Sequence, residues 1–287
     1  MSSQIVLGLA TRQNLLSLQD INTNITTAQE HLSTGLKVSS AIDDAVKFFE
    51  SQSLLNRAND ISQRKDQIDQ GISTLTNATN AAQSVVSVLN QLQGLLNSAK
   101  TETNAQRKSS AAEFDTLSKQ LNNLVNDASY QGLNLVNSTT AALNLQFSIA
   151  SNSTLKISGE NLLVSKLVST GVKSSVLATQ IGAIGAWSVV CQLTSKFDTA
   201  FKILQNSVTT AQSAAQTLGG NVTFLQTRLD FSSKYVAVLQ GGSDKLVVAD
   251  VNQESTNLIT LQTRQQLSIQ SLSIATQSEQ AVLRLFH

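Results

Sequence analysis

The chain contains no proline, a single cysteine and little charge: of its 287 residues only 14% are Asp, Glu, Lys or Arg. Aromatic residues are equally sparse, with nine phenylalanines, two tyrosines and one tryptophan. Each absence excludes something. Proline inside a helix costs about 3 kcal/mol, so its absence permits long uninterrupted helices. So few aromatics argue against a thick globular core. A lone Cys191 rules out an intrachain disulfide. The formal net charge of +1 points to neither a nucleic-acid nor an anionic-membrane partner. The first positive charge is Arg12, and no basic stretch precedes the apolar residues before it, so no cleaved secretory signal is expected. The most apolar stretch, Ile181 to Leu193, is broken by glycines and too short to span a bilayer. Ser, Thr, Asn and Gln stand in for the missing charge. Such surfaces desolvate more cheaply than charged ones, which suits a subunit covered by neighbours.

What the chain does have is a seven-residue step. Leu54, Ile61, Ile68, Leu75, Ala82, Leu89 and Leu96 follow one another at that interval. Phe197, Phe201, Leu204, Val208, Ala211, Ala215, Leu218, Val222, Leu225 and Leu229 alternate steps of four and three. Sustained spacing near 3.5 marks helices that pack side by side along their length. The expected fold is mainly α, with long antiparallel coiled-coil-like rods formed by both terminal thirds and a small β-hairpin in the middle. One rod runs from about Asp44 to Lys100, some 80 Å at 1.5 Å per residue, and demands a partner along all of it. Thr101 to Lys108 turns the chain. Phe114, Leu117, Leu121, Leu124 and Ala128 make a shorter helix that folds back on the rod. The second rod spans about Thr194 to Leu239 and is expected to end at Gly241-Gly242. A short extended stretch, Leu246 to Ala249, precedes a last helix over Val251 to Leu285.

Between the rods the period changes. Leu143, Leu145, Phe147 and Ile149 alternate with polar residues, as do Leu155 and Ile157, which predicts a hairpin between Leu143 and Val164. Residues 165–195, with Trp187 and Cys191, read as an irregular packed cap over the helix ends. The terminal seams are poorer than the rod seams. Leu18, Ile21, Ile25, Ala28 and Leu32 form one; Leu258, Leu261, Leu272, Ala275, Val282 and Phe286 form the other, interrupted by Gln265, Ser268 and Glu279. Each buries only a handful of aliphatics at ~1.5–3 kcal/mol apiece before entropy. Both ends are therefore expected to be marginal in the free monomer and to fold when neighbouring copies cover them.

A search for chemistry finds little. The histidines are His31 and His287, and no Cys/His set suits zinc. Cys191 has no histidine nearby in sequence and reads as an inert thiol. Asp43 and Asp44 are adjacent, so they point apart on a helix and suit capping or ion pairing rather than acid–base work. Gly219-Gly220 falls inside the rod frame and makes no phosphate loop. Asn137-Ser138-Thr139 and Asn152-Ser153-Thr154 are chance-level acceptor triplets in so Asn- and Ser-rich a chain. No catalytic residue, metal or cofactor is expected.

Leu32-Ser33-Thr34-Gly35-Leu36-Lys37-Val38, followed by Asp43-Asp44-Ala45, resembles the N-terminal signature of bacterial flagellin. Gln70-Gly71-Ile72-Ser73 and Tyr130-Gln131-Gly132-Leu133-Asn134-Leu135 are similar to further motifs of that family. So are Val251 to Ser255, Leu261 to Leu267, and the close Val282-Leu283-Arg284-Leu285-Phe286. The resemblance covers roughly 1–140 and 195–287. It implies a filament subunit with terminal helices, 1–43 and 247–287, in an inner core. A rod domain would comprise 44–140 and 194–246, and 141–193 a hairpin with at most a small outer segment. The self-assembly residues would include Leu18, Ile21, Ile25, Leu32, Leu258, Leu261, Leu272, Val282, Leu285 and Phe286. It further implies type III export to the extracellular flagellum, an export chaperone on the C-terminal helix, and contacts with cap and hook-associated proteins. The nearest rival is a hook–filament junction protein, which resembles Pro-Ser-Asp-Asp-Pro where this chain has Asp43-Asp44-Ala45. A type III secreted translocator or effector, using Ile181 to Leu193 as a membrane element, is the rival of another class.

One departure concerns innate recognition. Many flagellins carry a motif like L-Q-R-x-R-E-L-A that a Toll-like receptor reads. The equivalent here is Leu89-Asn90-Gln91-Leu92-Gln93-Gly94-Leu95-Leu96, with both arginines replaced by glutamine and the glutamate by glycine. Loss of the charge-assisted donors and of the acid predicts weak or no receptor activation. A cell reporter treated with purified monomer measures this, and a full-strength response would refute it.

Overall fold

The computed structural model describes residues 9–148, 153–169 and 193–285. In chain order they form α1 (Leu9–Thr34), α2 (Ala45–Ala99), α3 (Asn104–Asp127), β1 (Ala142–Gln146), β2 (Thr154–Ser158), α4 (Val164–Ser169), α5 (Leu193–Val247) and α6 (Val251–Leu285). The chain divides into two compact units: Met1–Ala58 with Ala237–His287, and Asn59–Val236.

The unit Asn59–Val236 is built on the two rod seams. From α2, Ile61, Ile68, Leu75, Ala82, Leu89 and Leu96 are all buried. Along α5, Phe197, Leu204, Ala211, Leu218 and Leu225 are buried, and they alternate with half-buried Phe201, Val208, Ala215, Val222 and Leu229. That alternation is what knobs of one helix seated on the surface of another produce. The helices run antiparallel. Lys100 Nζ meets Asp198 Oδ1 at 2.8 Å, and a Cβ at Gly219 would lie 3.9 Å from Thr79 Cγ2.

The turn from α2 to α3 is shorter than the sequence suggests. Helix α3 already begins at Asn104, because Gln106 Oε1 accepts the Thr103 amide at 3.0 Å and satisfies an orphan donor at the helix start. Arg107 meanwhile donates to the Ala99 and Lys100 carbonyls at 2.9 and 3.1 Å, closing the end of α2. Helix α3 then folds back antiparallel along α2, burying Phe114, Leu121 and Val125 in the common core. A void of only about 20 Å³ remains among Leu89, Leu92, Phe114, Ser118, Val164, Leu167 and Leu204.

The hairpin forms as the alternation predicts, with Leu143 opposite Ile157 and Leu145 opposite Leu155. Ile149 lies outside the described residues. Leu145 packs onto α2 where Gly71 leaves room; a Cβ there would come within 2.7 Å of Leu145 Cδ1. Phe147 is clipped to α5 by Arg228, whose guanidinium carbon sits 5.0 Å from the Phe147 ring and 5.1 Å from the Phe231 ring. The buried Nε of Arg228 has no hydrogen-bond partner among the described residues, and the guanidinium lies between the two rings. Of the segment expected to be irregular, Val164–Ser169 is a short helix started by Asn122, which accepts the Val164 amide at 3.1 Å. Trp187 and Cys191 lie outside the described residues.

In the other unit α1 and α6 pack antiparallel, with His31 Nδ1 3.2 Å from Glu254 Oε1 and Gln265 Nε2 2.6 Å from Asn22 Oδ1. The expected end of α5 at Gly241-Gly242 is not observed: the helix continues to Val247. An added Cβ would fit at either position. A Cβ on Gly242 would stand 3.5 Å from Leu54 Cδ1, and the next residue, Ser243, is buried with its hydroxyl 2.8 Å from that of Ser51. The extended stretch is accordingly shorter, and its Val248 bridges Leu36.

Gly159 tests the hairpin's seating. An added Cβ would meet the carbonyl oxygens of Ser138, Leu135 and Ala141 at 2.5, 3.1 and 3.2 Å, and backbone cannot swing away. Gly159→Ala is expected to destabilise by roughly 1–3 kcal/mol or more. Gly71→Ala, which meets only the movable end of Leu145, should cost less, offset by about 1 kcal/mol of helix propensity. Urea unfolding of the two variants measures the difference, and equal midpoints would contradict it.

Candidate assembly interface

The motifs singled out by resemblance occupy the turning points of the chain. Gly35 has φ +73, a conformation that favours glycine, and its amide donates to the His31 carbonyl at 2.8 Å, ending α1. The chain then reverses against α5: the Lys37 and Val38 amides donate to the Val247 carbonyl at 2.7 and 3.2 Å, and the Ala249 amide to the Gly35 carbonyl at 2.9 Å. Asp43 ties the following loop by accepting the Ser40 and Ser39 amides at 2.8 and 3.0 Å. Asp44 caps α2, accepting the Lys47 amide at 3.1 Å and pairing with its ammonium at 2.9 Å.

Donors of Ser40 and then Ser39 hold the Asp43 carboxyl below the ordinary aspartate range; the Lys47 side chain, then its amide, does the same for Asp44. A carboxyl whose folded value is depressed stabilises above its unfolded value and loses that contribution as pH falls through the folded one. Both ties therefore persist at neutral pH and loosen only in acid below the usual value of 3.8.

The second motif group does the same in the unit Asn59–Val236. Gln70 Oε1 accepts from the Gln131 side-chain amide at 2.9 Å. Gln131 (φ 50) and Gly132 (φ 81) form a tight turn in which Tyr130 and Leu133 exchange backbone hydrogen bonds at 2.9 and 3.0 Å. Buried Asn134 donates to the Val125 and Asn126 carbonyls and accepts the Val136 and Asn137 amides, so all its capacity is used locally.

Seven of the candidate assembly residues share one environment. Leu18, Ile21, Ile25 and Leu32 of α1, and Leu258, Leu261 and Leu272 of α6, are all half-buried. They lie on the faces along which α1 and α6 pack. Val282 and Leu285 belong to α6, but their side chains, like Phe286, lie outside the described residues. Sequence reasoning missed a second set. Ile259, Leu267 and Ile274 of α6 are each more than half exposed, and so is Leu16 of α1. Steps of eight and seven at 100° per residue place Ile259, Leu267 and Ile274 opposite the seam. The signal was present as a second stripe, hidden because the template sought one apolar face per helix.

Of the receptor-equivalent positions on α2, Leu89 is buried in the core, Gln93 is half-buried, and Gln91 and Gly94 are exposed. Among the described residues, no group of three or more His, Cys, Asp or Glu is placed to hold a metal ion. Among the same residues, no helix is long and apolar enough to cross a membrane.

Comparison with known proteins agrees with this arrangement. Residues 6–141 match the family profile described as the bacterial flagellin N-terminal helical region. The chain is similar to flagellin FljO of Caulobacter vibrioides, at 30% identity over 95% of each chain. It is also similar to a flagellin of Brucella melitensis, at 28% identity over 95% of each. The fold is shared with a solved putative flagellar hook-associated protein of Vibrio parahaemolyticus, with TM-score 0.61, 13% identity, and 72% of this chain and 100% of the other covered. Full-length similarity to flagellins, joined to helical rods whose turns are set by the flagellin-like motifs, shows that the chain belongs to the bacterial flagellins, the structural subunits of the flagellar filament.

Proposed function

We propose that α1 and α6 form the inner layer of the filament, with 1–43 and 247–287 as its core segments. Residues 44–140 and 194–246 would then make the surrounding rods, and 141–193 the outermost part. The observation that carries the proposal is the two-sided character of α6. One stripe, Leu258, Leu261 and Leu272, is half covered against α1; the other, Ile259, Leu267 and Ile274, is open. A helix apolar on opposite faces is stable in water only when both are covered. Burying the three open side chains is worth roughly 4–9 kcal/mol before ordering costs. Arg12, Asp20 and Glu30 on α1, and Glu254, Arg264, Glu279 and Arg284 on α6, are the only Asp, Glu, Lys or Arg residues of the two helices, so close packing buries little charge.

The chain acts by assembly rather than catalysis. Export through the flagellar type III route, without a cleaved leader, fits a subunit whose terminal helices fold last. An export chaperone that shields the apolar faces of α6 before assembly fits the same surface, and cap and hook-associated proteins would meet the subunit at the ends of the filament. Full-length relatives that are flagellins favour this reading over a junction protein or a secreted translocator.

Seeded polymerisation of the purified chain, followed by light scattering and negative-stain microscopy, is the test. Wild type is expected to elongate seeds. Ile259→Asp and Leu267→Asp should each slow elongation at least tenfold while leaving the helicity of residues 59–236 intact by circular dichroism. Deletion of Met1 to Ser33 should abolish assembly. Filaments from the deleted chain would overturn the inner-layer assignment.

A further inference from the structure

Helix α5 carries a line of large side chains beside its buried seam. Phe224, Arg228, Phe231 and Tyr235 follow one another in steps of four, three and four, which puts them on one face. Phe224 is 50% exposed and Phe231 53%. The rings stand in an ordered row. Phe147 of the hairpin meets Phe224 edge-on, with centroids 6.2 Å apart, and Phe231 stacks on Tyr235 at 5.9 Å. The Arg228 guanidinium sits between Phe147 and Phe231. A guanidinium carries a full charge and several N–H donors. Among the described residues this one belongs to no ion pair, and its Nε has no acceptor. The nearest acid along the helix, Asp230, lies two residues on, off this face, and is held by Lys234 at 2.7 Å. A second guanidinium reaches the same hairpin: Arg64 Nη1 donates at 3.1 Å to Oε1 of Gln146, the residue before Phe147. The surface is apolar, ordered and positive.

We propose that this face docks a separate protein, through a short segment of it that sets a carboxylate beside a large apolar side chain. Charge complementarity carries the choice. A cation with no counter-charge on its own chain is open to one on a partner, and the planar fork of arginine matches a carboxylate with two parallel hydrogen bonds. The rings on either side fix the fork before anything binds, so little side-chain freedom is lost on contact. A partner's apolar side chain laid over the exposed parts of Phe224 and Phe231 would exclude water from the charge pair and strengthen it. Aromatic residues and arginine are also what protein interfaces concentrate at their centres. A bare inorganic anion would meet the charge and leave both rings uncovered. Every residue named lies in the unit Asn59–Val236, so the site is complete there and independent of the inner-layer assignment of α1 and α6.

A random heptapeptide library displayed on phage tests this, selected on the immobilised full-length monomer after depletion on the Arg228→Gln chain. Recovered peptides should carry Asp or Glu beside a large apolar residue at least fivefold more often than the input library. Their synthetic versions should bind wild type at least tenfold more tightly than Arg228→Lys, which keeps the charge and loses the fork. Replacing the acid of each peptide by its amide leaves the protein untouched and should weaken binding by a similar factor, so a folding defect in a variant cannot imitate the result. Recovery without enrichment in acids, or equal affinity of acid and amide peptides, would overturn the proposal. Peptides that reproduce a stretch of this chain would give the face to a second copy and overturn it as well. None of these outcomes depends on seeded polymerisation, so the filament reading stands or fails separately.

Discussion

The antiparallel pairing of α2 with α5 is the contact on which the unit Asn59–Val236 depends. Ile68, Leu75, Ala82, Leu89 and Leu96 face Phe197, Leu204, Ala211, Leu218 and Leu225, and nearly all of these side chains are lost to water. Apolar surface removed from water contributes about 25 cal/mol per Å². Everything else in the unit is laid on the pair. Helix α3 adds Phe114, Leu121 and Val125 to the same core, and the hairpin adds Leu145, Phe147 and Ile157. Such a sequence needs few aromatics because two rods with small layers on them have no thick interior to fill.

The terminal pair obeys the same geometry with weaker residues, and the consequence is different in kind. Along α1 and α6 the seam side chains are half-buried, save Thr11 and Ala28. The line between these two helices therefore stays partly open to water. Their polar residues then assist: Asn22 with Gln265 and His31 with Glu254 fix the register where aliphatic packing does not. A register set by polar pairs while apolar stripes stay open leaves the pair ordered in direction but incomplete in burial.

The sequence made the rods, the fold-back of α3 and the hairpin legible because each rests on a simple period, 3.5 or 2. Punctuation was harder. Gly241-Gly242 reads as a helix stop, yet the helix runs through both to Val247, a continuation that costs only about 1 kcal/mol per glycine and is pinned at the next residue by the Ser51–Ser243 bond. The start of α3 was missed by a few residues because the capping Gln106 lies in a stretch that looks merely polar. The open stripe on α6 was missed for a third reason. Exposure is set by which neighbour is absent, and no pattern within one helix states that.

The polar motifs and the apolar seams thus divide the work. The motif residues sit where the chain turns: Gly35 ends one helix, Asp43 and Asp44 begin the next, and Gln131-Gly132 reverses the chain before the hairpin. Some of their hydrogen bonds close local turns, and others, the Ala249 amide to the Gly35 carbonyl and the Gln131 side-chain amide to Gln70, tie those turns to distant helices. The seams set how far each helix is covered. A filament subunit needs both, because a repeating contact tolerates little angular error and must still leave apolar surface unspent when the monomer is folded. The most recognisable residues of this chain thus mark where it turns, while the open stripe of α6, Ile259, Leu267 and Ile274, carries no such motif.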